Sequence, residues 1–124
     1  ILKWHVKWSE AEGIKTKKVI VSDDIASASE AEKEKRRGIA GIIFVFKVTG
    51  AIAEIGTSLE DVFKTATEVN NNIRTLGVVV SPCILHEAGK PTFEISDDEI
   101  EIGMGIHGEP GIKREKLRPA NELV

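Results

Sequence analysis

Glu99-Ile100-Glu101-Ile102-Gly103-Met104-Gly105-Ile106-His107-Gly108-Glu109-Pro110-Gly111 is the stretch from which the rest of the chain can be read. Its first four residues alternate charged and apolar side chains, the period of a half-buried strand. Continuing that alternation puts Ile100, Ile102, Met104 and Ile106 on one face and Glu101, Gly103, Gly105 and His107 on the other. Four glycines and a proline then surround one histidine, a density that calls for a shaped loop. Two readings follow. Either the glycines clear room beside His107 for a small ligand, or a tight turn ends the strand and the histidine bonds locally. Composition alone favours the turn.

Outward from this stretch, the second half reads as strands and turns. Glu99 to Met104 is a strand, Asp97-Asp98 a turn, Thr92 to Ile95 a strand, and Ala88-Gly89-Lys90-Pro91 a loop. Leu76 to Val80 is a β-rich run ended by Ser81-Pro82-Cys83. From Lys113 onward charges alternate up to Pro119, and helix or loop stays open there. The first half is more helical. Leu59, Val62, Phe63, Ala66, Val69 and Ile73 recur at spacings of three and four, predicting a helix from about 58 to 73. Two overlapping capping boxes, Thr57 with Glu60 and Ser58 with Asp61, open it, and Asn70-Asn71-Asn72 suits its end or polar contacts.

Gly38 to Ile55 reads as a buried helix despite many β-branched residues, with small residues at Gly41, Gly50 and Ala53 and a stop at Gly56. Lys17 to Ser22 reads as a strand covered on both faces, running into Asp23-Asp24, which suits a turn or helix cap better than a metal or acid–base pair. Ser27 to Arg37 is a polar loop or surface helix in which Arg36-Arg37 offers an anion only weak support. Ile1 to Ile14 is ambiguous: Leu2, Trp4, Val6 and Trp8 alternate like a strand, while Trp4, Trp8 and Ala11 share a helical face ending at Gly13. His5 fits a partly exposed position on either.

A chain of 124 residues with 41% hydrophobic and 30% charged residues fits one soluble globular domain. A net charge of -3 gives no basic field for nucleic acid. The apolar run Gly38 to Phe46 is too short to span a bilayer, so neither nucleic acid nor membrane is expected as a partner. One cysteine, Cys83, excludes an internal disulfide framework and fits a cytoplasmic location. Beginning at Ile1 rather than Met, the chain is read as a piece of something longer.

Few constellations carry chemistry. Cys83 and His86 have ligand-like spacing, and His107 would complete three, but the second close pair typical of structural zinc is missing, so no metal is assigned. No serine sits in a nucleophile elbow, and Gly89-Lys90-Pro91-Thr92 lacks the rest of a phosphate loop. Glu101 and Glu109 flank His107, and Glu109 is the better placed to orient its ring. A neutral imidazole nitrogen is a competent nucleophile toward a ketone when its other nitrogen is held, given approach to about 3 to 3.5 Å.

Taken in order, several blocks resemble the substrate-binding subunit or domain of dihydroxyacetone (glycerone) kinases, the DhaK-type family. They are Arg36-Arg37-Gly38-Ile39-Ala40-Gly41, Arg74-Thr75-Leu76-Gly77-Val78 with Ser81-Pro82-Cys83, Ala88-Gly89-Lys90-Pro91-Thr92-Phe93, and Glu101 to Gly111. Glu12-Gly13-Ile14-Lys15 and Asp23-Asp24 fit as well. The resemblance implies an α/β fold with α+β character in the C-terminal half, part of a two-lobe DhaK-like architecture with helices packed on a mixed β-sheet. Residues 1–70 would finish the first α/β lobe and 71–124 start a β-rich second lobe carrying the loop. It also favours helix for Ile1 to Glu12.

For function, the resemblance implies that His107 holds dihydroxyacetone covalently as a hemiaminal, with Gly105 and Gly108 beside the substrate and Glu109 behind the ring. The chain itself would bind no cofactor. ATP or ADP would sit on a nucleotide-binding partner domain or subunit, and a homodimer is a further option. Family kinases are much longer and use a second histidine and an aspartate, N-terminal to this region, that have no counterpart here. The expected activity of these 124 residues alone is therefore little or none. The competing expectations are a non-catalytic sensor or co-activator that retains the site, and a structural fragment that does not.

Overall fold

The structure, a computed structural model, describes residues 2–84, 89–105 and 107–123, with side chains from Val6 onward. His86 and Ile106, and with them the metal-ligand spacing at His86 and the face assigned to Ile106, lie outside the described residues, as do the side chains of Trp4 and His5. The N-terminal ambiguity resolves as helix α1, Leu2–Ala11. Gly13 ends it at φ 74°, with the Ile14 N–H donating to the Ser9 carbonyl. Two longer helices follow, α2 at Ile42–Glu54 and α3 at Leu59–Asn72, packed on each other. Strands β1 (Val78–Val79), β2 (Glu99–Ile102) and β3 (Lys113–Lys116) form an antiparallel sheet in the order β1-β2-β3. Isolated helical turns of the tighter 3-10 type occupy Glu30–Lys35 and Ala120–Glu122. The class is α/β, as the resemblance implied.

Helix α3 forms where its periodicity placed it. Ser58 is the N-cap: its hydroxyl accepts from the Asp61 N–H at 3.2 Å, and Ala66 and Asn70 face inward. Ser58→Ala removes that acceptor, and the urea midpoint should fall by the equivalent of about 1 kcal/mol.

Helix α2 is shorter than its apolar run and much less buried than expected. Only Val45 is buried, while Ile43, Phe44 and Phe46 are exposed. An apolar face needs another element to cover it, and of the described helices and strands only α3 packs on this helix. The accessible surface of 9290 Å² exceeds the ~6,500 Å² of a compact monomer of this mass.

Several strands are shorter or absent. The run Lys17 to Ser22 makes no ladder. Instead the Asn70 side chain takes up its backbone: Oδ1 accepts from the Ser22 N–H at 2.9 Å and Nδ2 donates to the Ile20 carbonyl at 3.1 Å. Nor is it covered on both faces, since Ile20 is exposed. Only Asp24 pairs like a strand, as a parallel bridge to Thr75. Leu76–Val80 narrows to β1. Thr92–Ile95 forms no strand, its neighbour Pro91 making one bridge to Ile84. From Lys113 the open segment pairs with β2, Ile102 opposite Lys113 and Glu99 opposite Lys116.

Asp23 and Asp24 are not a solvated turn. Both are fully buried and join the helical and sheet halves. Asp23 accepts from the Ile39 and Gly41 N–H groups at 3.0 and 2.9 Å, and from the Thr75 hydroxyl, so it holds the turn that leads into α2. Gly41 has to be glycine there, because a Cβ would overlap the Asp23 carboxyl.

Candidate functional site

The glycine-rich loop is the connection of the β2–β3 hairpin. Its base closes twice. The Ile112 N–H donates to the Ile102 carbonyl at 2.8 Å, and the Gly111 N–H to Glu101 Oε1 at 2.8 Å. Arg114 on β3 donates to the other oxygen of Glu101 at 2.8 Å. The Arg114 guanidinium and the Gly111 N–H hold the Glu101 carboxyl below the usual carboxylate range. Glu101 thus anchors the loop and does not touch His107.

Strand β2 stops at Ile102 because Gly103 enters the left-handed region at φ 79°. The continued alternation through Met104 and His107 therefore fails. Gly103 donates its N–H to the Gly77 carbonyl at 2.6 Å, while its own carbonyl accepts from Arg37 Nη2 at 2.9 Å. Inside the loop, Gly105 donates to the Glu109 carbonyl at 2.9 Å and Gly108 to the Gly105 carbonyl at 3.0 Å. The loop is thus a tight turn closed by its own backbone.

Glu109 faces His107 twice. Its Oε2 accepts from the His107 backbone N–H at 3.0 Å, and its Oε1 lies 3.2 Å from His107 Nδ1. Its own N–H and that of His107 hold the Glu109 carboxyl low, with burial opposing and the imidazole assisting. An ionised carboxylate accepts only, so it selects the tautomer with hydrogen on Nδ1 and leaves the lone pair on Nε2. The His107 side chain is 83% exposed, so that nitrogen is open to a solute.

His107, Gly105 and Gly108 edge an open groove of about 980 Å³. Its walls are mostly apolar, with Ile39, Leu76, Val79, Phe93 and Met104, and Thr75, Ser81, Cys83 and Thr92 supply polar groups. The two glycines differ. A side chain at Gly108 meets nothing within 4 Å, whereas at Gly105 it would overlap Glu109 and Arg37. Cys83 is exposed in the groove. Among the described residues no three histidine, cysteine or acidic side chains converge to hold a metal ion. No described helix is long and apolar enough to cross a membrane.

Arg37 is the site residue that sequence reasoning undervalued. Its guanidinium meets carboxylates of the chain itself: Nε donates to Asp24 Oδ2 at 2.9 Å, and Nη1 lies 3.8 Å from Glu109 Oε2. Arg36 turns the other way, to the Ala28 carbonyl and Glu30. The adjacent arginines were visible, but their separate destinations depend on tertiary structure.

Comparison with known proteins gives the chain's family. A Dak1 domain model matches residues 4–124. The chain is similar to the dihydroxyacetone-binding subunit DhaK of a PTS-dependent dihydroxyacetone kinase from Listeria innocua, 47% identical over 94% of this chain and 35% of the relative. Among solved structures it is similar to the dihydroxyacetone kinase operon co-activator Dha-DhaQ, at TM-score 0.84 and 31% identity over 98% of this chain and 37% of that one. It is also similar to the dihydroxyacetone kinase from C. freundii in complex with AMP-PNP and Mg2+, at TM-score 0.83 and 31% identity over 98% of this chain and 22% of that one. The chain thus spans about a third of the length of the Listeria relative. With the matched model running from residue 4 to residue 124, the chain belongs to the Dak1 domain family.

Proposed function

We propose that this chain is the part of a dihydroxyacetone kinase substrate subunit that carries the covalent anchor, His107. The supporting observation is the Glu109 carboxylate 3.2 Å behind Nδ1, with the rest of the ring open to the groove. In the proposed step the Nε2 lone pair forms a bond to the ketone carbon and the carbonyl π pair moves onto oxygen. That oxygen takes a proton from water, and the proton that Nδ1 gives up through Glu109 restores the water, leaving a neutral hemiaminal with no net change in protons. Glycerol has no electrophilic carbon and cannot enter this step. Gly105 and Gly108 keep the approach to the ring free of side chains. The phosphoryl donor, ATP or ADP, belongs in this reading to a nucleotide-binding partner.

We assign residues 1–70 to the end of a first lobe and 71–124 to the start of a second. The succession of three helices before Ile73 and an antiparallel sheet after Gly77 supports that division.

A co-activator role is the second reading, favoured by the likeness to Dha-DhaQ at 98% coverage of this chain. It uses the same anchor without phosphoryl transfer, and the higher identity to the kinase subunit ranks it second.

The test is carbon NMR of dihydroxyacetone labelled at the ketone carbon. Added to the protein, it should give a new tetrahedral-carbon signal, distinct from that of its free hydrate, whereas labelled glycerol should show its free signal unchanged. If only the free ketone and hydrate signals persist with the protein in excess, the hemiaminal reading is wrong.

A further inference from the structure

We infer that Arg37 is a positioning residue for His107, acting through Glu109, and that it ties the loop's reactive geometry to Asp24 on the helical side of the chain. This rests on the reading of His107 as the anchor only for its purpose; the geometry stands without it. One guanidinium spans three partners that no other described side chain links. Nε is bonded to Asp24, itself 1% exposed and held by the Ala26 N–H at 3.0 Å. Nη2 is bonded to the carbonyl of Gly103, where the strand turns into the loop. Nη1 faces Glu109 Oε2, the oxygen that also receives the His107 N–H.

The Arg37 side chain is 26% exposed, so its charge is partly screened by solvent. Its geometric contribution is harder to replace. Arg37 and Glu109 meet directly over Gly105, where any side chain would overlap both. The absence of a Cβ at Gly105 thus serves the ion pair as well as the ligand approach. A planar fork can serve three directions at fixed angles, which a lysine ammonium on a flexible stem cannot. Without the fork, Glu109 is held only by its own N–H and that of His107, and with the Gly103 end of the loop also released the preference for hydrogen on Nδ1 weakens.

Nitrogen–proton correlation NMR reads the His107 tautomer directly in the ligand-free protein, so it does not depend on any substrate. Wild type should show mainly hydrogen on Nδ1. Arg37→Ala should shift the population toward hydrogen on Nε2, and Glu109→Ala should do the same or more. Arg37→Lys, which keeps the stem and charge, should fail to restore the wild-type ratio; it carries the test if the alanine variant does not fold. In the adduct measurement, both Arg37 variants should need about tenfold more dihydroxyacetone than wild type, the size of the lost charge-assisted hydrogen bond from Arg37 to the Gly103 carbonyl. A wild-type tautomer ratio in the folded Arg37 variants overturns the inference. A Glu109→Ala ratio equal to wild type overturns it as well, because the path through Glu109 is then absent. If the tautomers shift as expected but wild type forms no adduct, the hemiaminal reading fails and the positioning role of Arg37 stands.

Discussion

His107→Ala should abolish the protein-dependent tetrahedral-carbon signal of labelled dihydroxyacetone while leaving the fold intact. The imidazole is 83% exposed, and its side chain pairs with Glu109, itself 43% exposed. Exposed substitutions away from caps and buried networks usually change stability by about 0.5 kcal/mol or less. The melting temperature should therefore stay near wild type while binding is lost, which separates chemistry from folding. Cys83 is the nucleophile to control for, since it is exposed in the same groove. A thiolate also adds to ketones, forming a hemithioketal with a tetrahedral carbon of its own. Cys83→Ser should keep the adduct. The opposite pattern, with the signal surviving His107→Ala and vanishing in Cys83→Ser, would move the anchor to sulfur and discard the role given to Glu109.

What was legible in the sequence was local. Helix α3 was readable because its apolar spacing, its cap at Ser58 and its polar end lie within one short window. Glu109 was readable as the partner of His107 because they are two residues apart. What failed was non-local. Lys17 to Ser22 has the composition of a strand, yet its backbone is satisfied by a side chain, Asn70, 48 residues from Ser22. The alternation through Met104 ignored that one glycine at positive φ ends a strand. Arg37 reaches a carbonyl 66 residues away, a distance at which no periodicity operates. The exposure of α2 has another cause. Its residues form the helix they encode, but burial belongs to whatever covers the outer face, and a chain spanning 35% of a relative need not contain its own cover.

Asp23→Ala should produce the largest loss of stability of any substitution considered, about 4 kcal/mol by urea denaturation. It strands three donors at once: the Ile39 and Gly41 N–H groups at the start of α2 and the Thr75 hydroxyl. The Gly41 donor is buried and the other two are part-buried; a buried donor left without an acceptor costs about 1–3 kcal/mol, a part-buried one less, and the negative charge near the helix start is lost as well. The same residue binds Thr75 through its backbone, its carbonyl accepting from the Thr75 N–H at 2.8 Å, so loosening it also loosens the approach to β1 and the groove. Asp23→Asn keeps one acceptor oxygen but turns a donor toward Ile39 or Gly41, and should lose at least half as much. Acid should act in a defined direction. Burial pushes the Asp23 carboxyl up, but the bonds from Thr75, Gly41 and Ile39 outweigh it, and the group sits below its ordinary 3.8. Its contribution is therefore complete above the unfolded value and is lost as pH falls through the lower folded one. The gap between wild type and Asp23→Ala should hold steady from neutral pH to about 4 and close below that. A gap under 1 kcal/mol at neutral pH, or one that widens in acid, would show that Asp23 is not the link between α2 and the sheet.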